Sequence, residues 1–307
     1  MGKVLVTDTH LTNIANAIRG KNGTTDTYKP SEMASAIENI ETGGSGGGTG
    51  EKYAPRRISF YSYTGTDLDY EVANLDTKNA TDLSYLFYKC SNITNLDLSH
   101  WNTRNVTTLY YAFYECKLLG NLNLSNWNTS NVTNFYYAIC NIGVSTLDVS
   151  GWNFEKGTDF SYAFSIMPNV TSINLGSFKN EIAKEFRRMF TNNTKLTNID
   201  LKDFVGTNAT SLSYMFNECK ALQSVDLSSF NPTNLTSTDY MFYNCSNLRY
   251  IDMRNTDFSH LTKTSSMFYN VSSSCEIIVK DDTQRDILLG IKSTFKKIKT
   301  VAELEAE

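Results

Sequence analysis

Phenylalanine returns in this chain at a fixed interval. Phe87, Phe113, Phe164, Phe190, Phe216, Phe242 and Phe268 stand 26 residues apart at each step but one. In the gap between Phe113 and Phe164, Ile139 holds the slot, and one residue is missing before Leu147. The surrounding segments SYLFYKC, YYAFYEC, SYAFSIM, FRRMFTN, SYMFNEC, DYMFYNC and SSMFYNV share one template. A fixed period of this length marks a chain of stacked units, each unable to bury its own apolar face alone.

Within a unit the pattern changes period. Nine residues after the phenylalanine comes a two-residue alternation: Leu96/Leu98, Leu122/Leu124, Leu147/Val149 (one residue early), Ile173/Leu175, Ile199/Leu201, Val225/Leu227 and Ile251/Met253. Ile277 and Val279 stand at the same spacing after Phe268. Alternation over so few residues indicates a short strand with one buried face. Three residues further on sits an aromatic, namely Trp101, Trp127, Trp152, Phe178, Phe204 and Phe230, with Thr256 breaking the series. Ahead of the phenylalanine the spacing turns helical: Val106, Leu109 and Phe113 lie at i, i+3 and i+7, as do Val132, Phe135 and Ile139. Each unit is therefore expected to be a strand, an aromatic-plugged bend, a polar loop and a short helix or 3₁₀ turn. The fold class that follows is α/β, a leucine-rich-repeat solenoid of about eight rungs with a small N-terminal helical anchor.

The wording LDLSHWNTRNVTTLYYAFYEC and VDLSSFNPTNLTSTDYMFYNC resembles the BspA-like leucine-rich repeats of bacterial surface proteins, over roughly residues 75 to 279. The resemblance implies a right-handed solenoid and, by analogy, adhesion.

The ends read differently. GGSGGGTG over 43–50 is a flexible tether. It separates residues 1–42, where Leu11, Ile14 and Ile18 form one helical stripe and Met33, Ile37 and Ile40 another. Two helices in so short a stretch bury too little surface to stand alone, so they are expected to anchor the chain to copies of itself or to a docking site. LTNIANAIRGKNGTTDTYKPSEMASAIENI is similar to a segment of structural proteins of tailed phages. Residues 51–75, through RRISFYSYTG, are expected to cap the solenoid of 76–279 with strands. Residues 280–307 should form a C-terminal cap, with CEIIVKDDTQRDILLGIKSTFKKI giving a last strand and a helix.

Composition narrows the function. A net charge of −4, from 28 basic and 32 acidic residues, argues against nucleic acid or an anionic membrane as partner. No apolar run reaches the roughly 20 residues a membrane-spanning helix needs. The opening MGKVLVTDTHLTNIANAIRGK lacks the apolar core of a secretory signal, so synthesis and retention in the cytosol until release are expected. His10, His100 and His260 are far apart and belong to no nucleophile or metal motif. Cys90, Cys116, Cys219 and Cys245 share the slot three residues after the repeat phenylalanine, as a buried ladder of small apolar groups does; Cys140 and Cys275 are off register. Free thiols, no zinc site, no cofactor and no catalytic residue are expected.

Two exposed columns are candidate binding residues. Asp97, Asp148, Asp200, Asp226 and Asp252, with Asn123 and Asn174 between them, alternate with the strand apolars and should point away from the core. Either they hydrogen-bond to flanking Ser and Asn, or they line a polar groove for a cation or a hydroxyl-rich ligand. Tyr85, Tyr111, Tyr137, Tyr162, Tyr214 and Tyr240 form the second column, interrupted by Arg188, with further tyrosines at Tyr88, Tyr110, Tyr114, Tyr136, Tyr243 and Tyr269. Either their rings pack on the next repeat, or they recognise sugar rings or protein surfaces. The resulting expectation is a non-enzymatic virion fibre or receptor-binding protein, docked to other virion proteins through 1–42 and contacting a host-surface glycan or protein. Homotrimer formation is expected by analogy with fibres. The alternatives are a head fibre or decoration protein, or an adhesin on the bacterial surface.

Overall fold

The computed structural model describes Val4–Leu5 and residues 56–66, 68–201 and 203–306. The helical stripes expected within 1–42, and the tether at 43–50, lie outside the described residues. Strand β1 (Val4–Leu5) pairs in parallel with β2 (Ile58–Ser59).

From residue 56 onward the chain winds as a β-solenoid. The alternating segments form short parallel strands in register. β3 (Asn95–Asp97) pairs with β4 (Asn121–Asn123). β6 (Thr146–Asp148), β8 (Ser172–Asn174) and β9 (Asn198–Asp200) make a second sheet. β10 (Ser224–Asp226), β11 (Tyr250–Asp252), β12 (Glu276–Val279) and β13 (Lys297–Thr300) make a third. A second ladder of single bridges runs unbroken from Arg57 through Asp82, Thr108, Asn134, Asp159, Glu185, Ser211 and Ser237 to Lys263. Between these two ladders, β5 (Ile139–Cys140) pairs with β7 (Phe164–Ser165) at the level of the phenylalanine column. That column is fully interior: Phe60 stacks on Phe87 at 5.1 Å, Phe87 on Phe113 at 5.6 Å, and Phe190, Phe216 and Phe242 follow at 5.5 Å steps. Phe60 thus makes the N-terminal cap a rung in its own right.

No helix forms inside the repeats among the described residues, so α/β fits this molecule only loosely. The i, i+3, i+7 residues are buried as expected, but the backbone that carries them is a series of reverse turns. The cause is a pair of left-handed residues in each turn. Two residues before the repeat phenylalanine, Tyr85, Tyr111, Tyr137, Tyr162, Arg188, Tyr214, Tyr240 and Ser266 all lie at φ between 51° and 61°. Two residues after it, Lys89, Glu115, Asn141, Ile166, Asn192, Glu218, Asn244 and Asn270 lie at φ between 57° and 63°. An α-helix needs consecutive negative φ values, and one left-handed residue interrupts it. The backbone N–H groups then divide their work. Leu86, Tyr88 and Cys90 donate to the carbonyl three residues back, closing the turns. Leu83, Tyr85, Phe87 and Lys89 donate instead to Thr108, Tyr110, Ala112 and Tyr114 on the next rung. Satisfying those buried donors across rungs holds the left-handed conformation in place.

Helices occur at the caps. α1 (Asp69–Asn74) follows the first rung, a helix that the sequence reading did not anticipate. The Trp101 indole and the His100 ring both reach the carbonyl of Val72 within it. At the other end α2 (Asp282–Ile291) starts from Asp281, whose side chain accepts the Gln284 N–H, and α3 (Val301–Glu305) opens with a Thr300–Glu303 capping box. The expected last strand and helix are there, and β13 with α3 extends the cap further.

All six cysteines are free and buried. The recurrence of the slot has a polar reason beyond small size. The thiols of Cys90, Cys116, Cys219 and Cys245 donate to the carbonyls of Phe60, Phe87, Phe190 and Phe216 at 2.9–3.2 Å. Where the slot is Asn193, its amide donates to the Phe164 carbonyl at 2.8 Å, doing the same job.

Candidate functional site

The left-handed turn decides where the tyrosines go. Their side chains leave the core wall half-buried and stack along the coil. Tyr85 lies 5.6 Å from Tyr111 with the rings within 7° of parallel; Tyr111 lies 4.7 Å from Tyr137, and Tyr137 lies 4.2 Å from Tyr162. Further on, Tyr214 and Tyr240 stack at 4.7 Å. Arg188 does not break this column. Its guanidinium stands 5.5 Å from the Tyr162 ring and 4.0 Å from the Tyr214 ring, so a planar cation replaces a phenol in the stack.

Two flanking columns complete the surface. Tyr110 and Tyr136 stack at 5.5 Å on one side; Tyr61, Tyr88 and Tyr114 stack at 4.8 and 5.3 Å on the other. Rings in neighbouring columns meet near perpendicular: Tyr110–Tyr111 at 73°, Tyr111–Tyr114 at 75°, Tyr114–Tyr137 at 77°. Parallel within columns and edge-to-face between them, the tyrosines form a herringbone, the arrangement that ring quadrupoles favour. Tyr61 was missed by the sequence reading, although it stands one residue after Phe60, as Tyr88 does after Phe87. A smaller group, Tyr243 stacked on Tyr269 at 4.8 Å, continues the outer column at the C-terminal end.

Packing shifts the acidity of these phenols. Burial, then the neighbouring Tyr136, raises Tyr111; burial, then Tyr162, raises Tyr137. Burial, then Glu115, pushes Tyr114 up to about 12. These three phenols therefore present neutral hydroxyls, able to donate and accept.

The aspartate column has a local job. Asp97, Asp148 and Asp226 accept the backbone N–H of Ser99, Ser150 and Ser228 at 2.9–3.1 Å, and Asn123 and Asn174 accept from Ser125 and Gly176 in the same way. These are Asx turns that end each strand. The Ser99 hydroxyl and N–H hold the Asp97 carboxyl below its ordinary value, and the Ser150 N–H and hydroxyl do so for Asp148. Asp97, Asp148 and Asp200 are exposed as expected, and Asp226 is half-buried. Asp252 departs from the expectation that all point outward: it is 2% exposed. Arg254 covers it, Nε donating to both carboxylate oxygens at 3.0 Å and Nη2 to one of them, and Tyr250 donates its hydroxyl at 3.2 Å. The carboxylates sit on strands β3–β11 and the tyrosines in the turns before each phenylalanine, so the fold puts the two columns on different segments of each coil. Among the described residues, no group of three or more His, Cys, Asp or Glu could hold a metal ion, and no helix is long and apolar enough to cross a membrane.

A family described as Mycoplasma protein of unknown function, DUF285, matches residues 57–175 and 158–280, which together span the solenoid. The chain belongs to this family. The two matched stretches of this DUF285 protein overlap within the repeats, as expected for a family defined on a repeating unit. No curated protein matches it. A leucine rich cell surface protein from Faecalibacterium prausnitzii A2-165 is similar at 16% identity, over 75% of this chain and 78% of that one, with a TM-score of 0.30.

Proposed function

We propose that this chain is a non-enzymatic binding protein whose tyrosine herringbone contacts a partner on a bacterial cell surface, and that it works as a fibre-like virion component. The observation that carries the binding reading is the herringbone itself. Nine tyrosines from Tyr61 to Tyr162 hold one another in place on a rigid backbone while staying partly exposed. A partner that lands there orders few side chains, and tyrosine is a residue on which binding energy concentrates. The virion setting is supported by the likeness of LTNIANAIRGKNGTTDTYKPSEMASAIENI to phage structural segments. In that setting residues 1–42 dock on other virion proteins and join three copies, and weak single contacts add up through avidity. A second reading, an adhesin on the bacterial surface, is favoured by the likeness of the repeats to BspA-like surface proteins; both readings use the same face.

The test is binding of the fluorescent full-length chain to a panel of bacterial cells, beside a Tyr111→Ser/Tyr137→Ser variant. A loss of about 10-fold or more is expected from two such truncations at a contact centre. Equal binding by the two proteins would remove the herringbone from the contact, and binding to no cell would overturn the proposal. Antibody to the solenoid then separates the settings, labelling particles for a fibre and cell envelopes for an adhesin.

A further inference from the structure

The tyrosine column changes chemistry at one rung. Arg188 takes the same left-handed backbone as the tyrosines, at φ 58°, and its N–H donates to the Ser213 carbonyl as theirs do to the next rung. Any residue that fits the stack would serve the fold there, yet the slot holds a cation. Its two faces lie against Tyr162 and Tyr214, which leaves the hydrogen-bonding edge of the guanidinium as its free part. That edge has no partner: among the described residues Arg188 makes no side-chain hydrogen bond and no ion pair, and its Nε is buried without an acceptor. Arg187 stands beside it, exposed, 5.5 Å from the Tyr214 ring and also without an ion pair among the described residues. Arg57 and Arg254 of the coil are neutralised, by Asp82 and Asp252; Arg104 and Arg249, like Arg187 and Arg188, form no ion pair among the described residues. A stacked guanidinium with no ion pair is a receptor for a carboxylate or phosphate, which it meets with two parallel N–H···O bonds.

We infer that Arg188, with Arg187, binds the carboxylate or phosphate of an anionic saccharide polymer lying along the tyrosine column. This rests on the reading of the herringbone as the contact face. A polymer is favoured over a folded acidic protein by the periodicity. Stacked phenol rings, each carrying a hydroxyl, recur from rung to rung on either side of Arg188, which suits a ligand whose own hydroxyls recur. The anion then fixes the register of an otherwise repetitive contact.

The experiment measures binding of the full-length chain to polygalacturonate, to a glycerol-phosphate polymer and to neutral dextran, for the natural protein and for Arg188→Tyr. That variant restores the tyrosine found at the equivalent position of other rungs, so the stack is kept, and an unchanged thermal transition confirms the fold. Arg187→Gln/Arg188→Gln is the second variant. The natural chain is expected to bind at least one anionic polymer, more weakly as salt rises, and dextran much less. Arg188→Tyr should lose about 10- to 100-fold on the anionic polymer. The arm that binds shows whether carboxylate or phosphate is the source. Equal binding of dextran, or an Arg188→Tyr variant that binds the anionic polymer as the natural chain does, overturns the inference. If Tyr111→Ser/Tyr137→Ser loses cell binding while Arg188→Tyr keeps it, the inference alone fails; if neither change matters, the contact-face reading fails with it. Cell binding lost in Arg188→Tyr, absent for every polymer and abolished by protease treatment of the cells would assign the arginine to an acidic protein instead, and overturns the saccharide.

Discussion

Replacing Tyr137 once by alanine and once by glycine isolates the left-handed backbone from the ring it carries. Tyr137 lies at φ 52°, and its N–H donates to the Ser161 carbonyl at 3.1 Å, a bond that both variants retain. Both lose the stacks on Tyr111 and Tyr162 and the edge contacts with Tyr114 and Tyr136. At about 0.5–1.5 kcal/mol for an aromatic pair, plus the burial of half a ring, that common loss is about 3 kcal/mol. The variants then differ only in the backbone. Alanine in the left-handed region costs about 1–2 kcal/mol, whereas glycine costs nothing there. Glycine gives back about 0.4–1 kcal/mol through the greater freedom of its unfolded chain. The glycine variant should therefore be the more stable by about 1 kcal/mol, the reverse of the order expected at ordinary positions. Urea unfolding followed by circular dichroism reads the difference directly. Thr133, exposed and outside the left-handed set, is the control, and there alanine should be the more stable by about 0.4–1 kcal/mol. Ser266, at φ 51° and exposed, gives a second reading with little packing to lose, and Ser266→Gly should exceed the natural protein. An alanine variant as stable as the glycine variant at both Tyr137 and Ser266 would refute the claim that left-handed residues shape the turn.

Further outcomes follow from the interior and from the strand ends. Phe216→Ala removes a ring enclosed between Phe190 and Phe242 and should cost about 3–5 kcal/mol in chemical unfolding; a loss below about 1 kcal/mol would show that the column is not the core. Burial pushes the thiols of Cys90, Cys140 and Cys219 up to about 12, so a thiol reagent at pH 8 should leave the six buried cysteines of the native chain unreacted and label all six in denaturant. Prompt labelling of the native protein would contradict the buried ladder. The Asp97 and Asp148 carboxyls titrate below their unfolded value, so their contribution is present above about pH 4 and is lost as pH falls through the folded values. Asp97→Asn/Asp148→Asn keeps the turn, as Asn123 and Asn174 do, and should lose less stability than the natural chain between about pH 4 and pH 2; identical profiles would remove those carboxylates from the acid response.

Much of the coil was legible in the chain. The period of 26 fixed the rung, the alternation at Leu96/Leu98 and its equivalents fixed the strands, and the recurring cysteines identified a buried slot. The turn was misread because Val106, Leu109 and Phe113 share one face in a helix and also in this series of reverse turns, and apolar spacing cannot tell the two apart. Glycine or asparagine ordinarily announces a left-handed residue, yet the slot before the phenylalanine holds tyrosine, arginine and serine. The tyrosines and the arginine sit there because the N–H of each is taken by the carbonyl of the next rung, a partner about 25 residues away that no local pattern contains.

The candidate site divides along the same line. Sequence alone determined that tyrosine recurs at Tyr85, Tyr111, Tyr137, Tyr162, Tyr214 and Tyr240, and that aspartate or asparagine recurs at the strand ends, because both are properties of one repeat copied along the chain. Tertiary structure alone decided what those repeats do to one another. It tilted three files of rings into a herringbone, turned Asp252 inward beneath Arg254 and Tyr250, and slid the guanidinium of Arg188 between Tyr162 and Tyr214. Asp252 is held by neighbours two residues away in the chain, whereas the ring stacks along each file and the seat of Arg188 are contacts between rungs. Those are set by the left-handed turn and the short axial step, and such contacts exist only once the coil has closed upon itself.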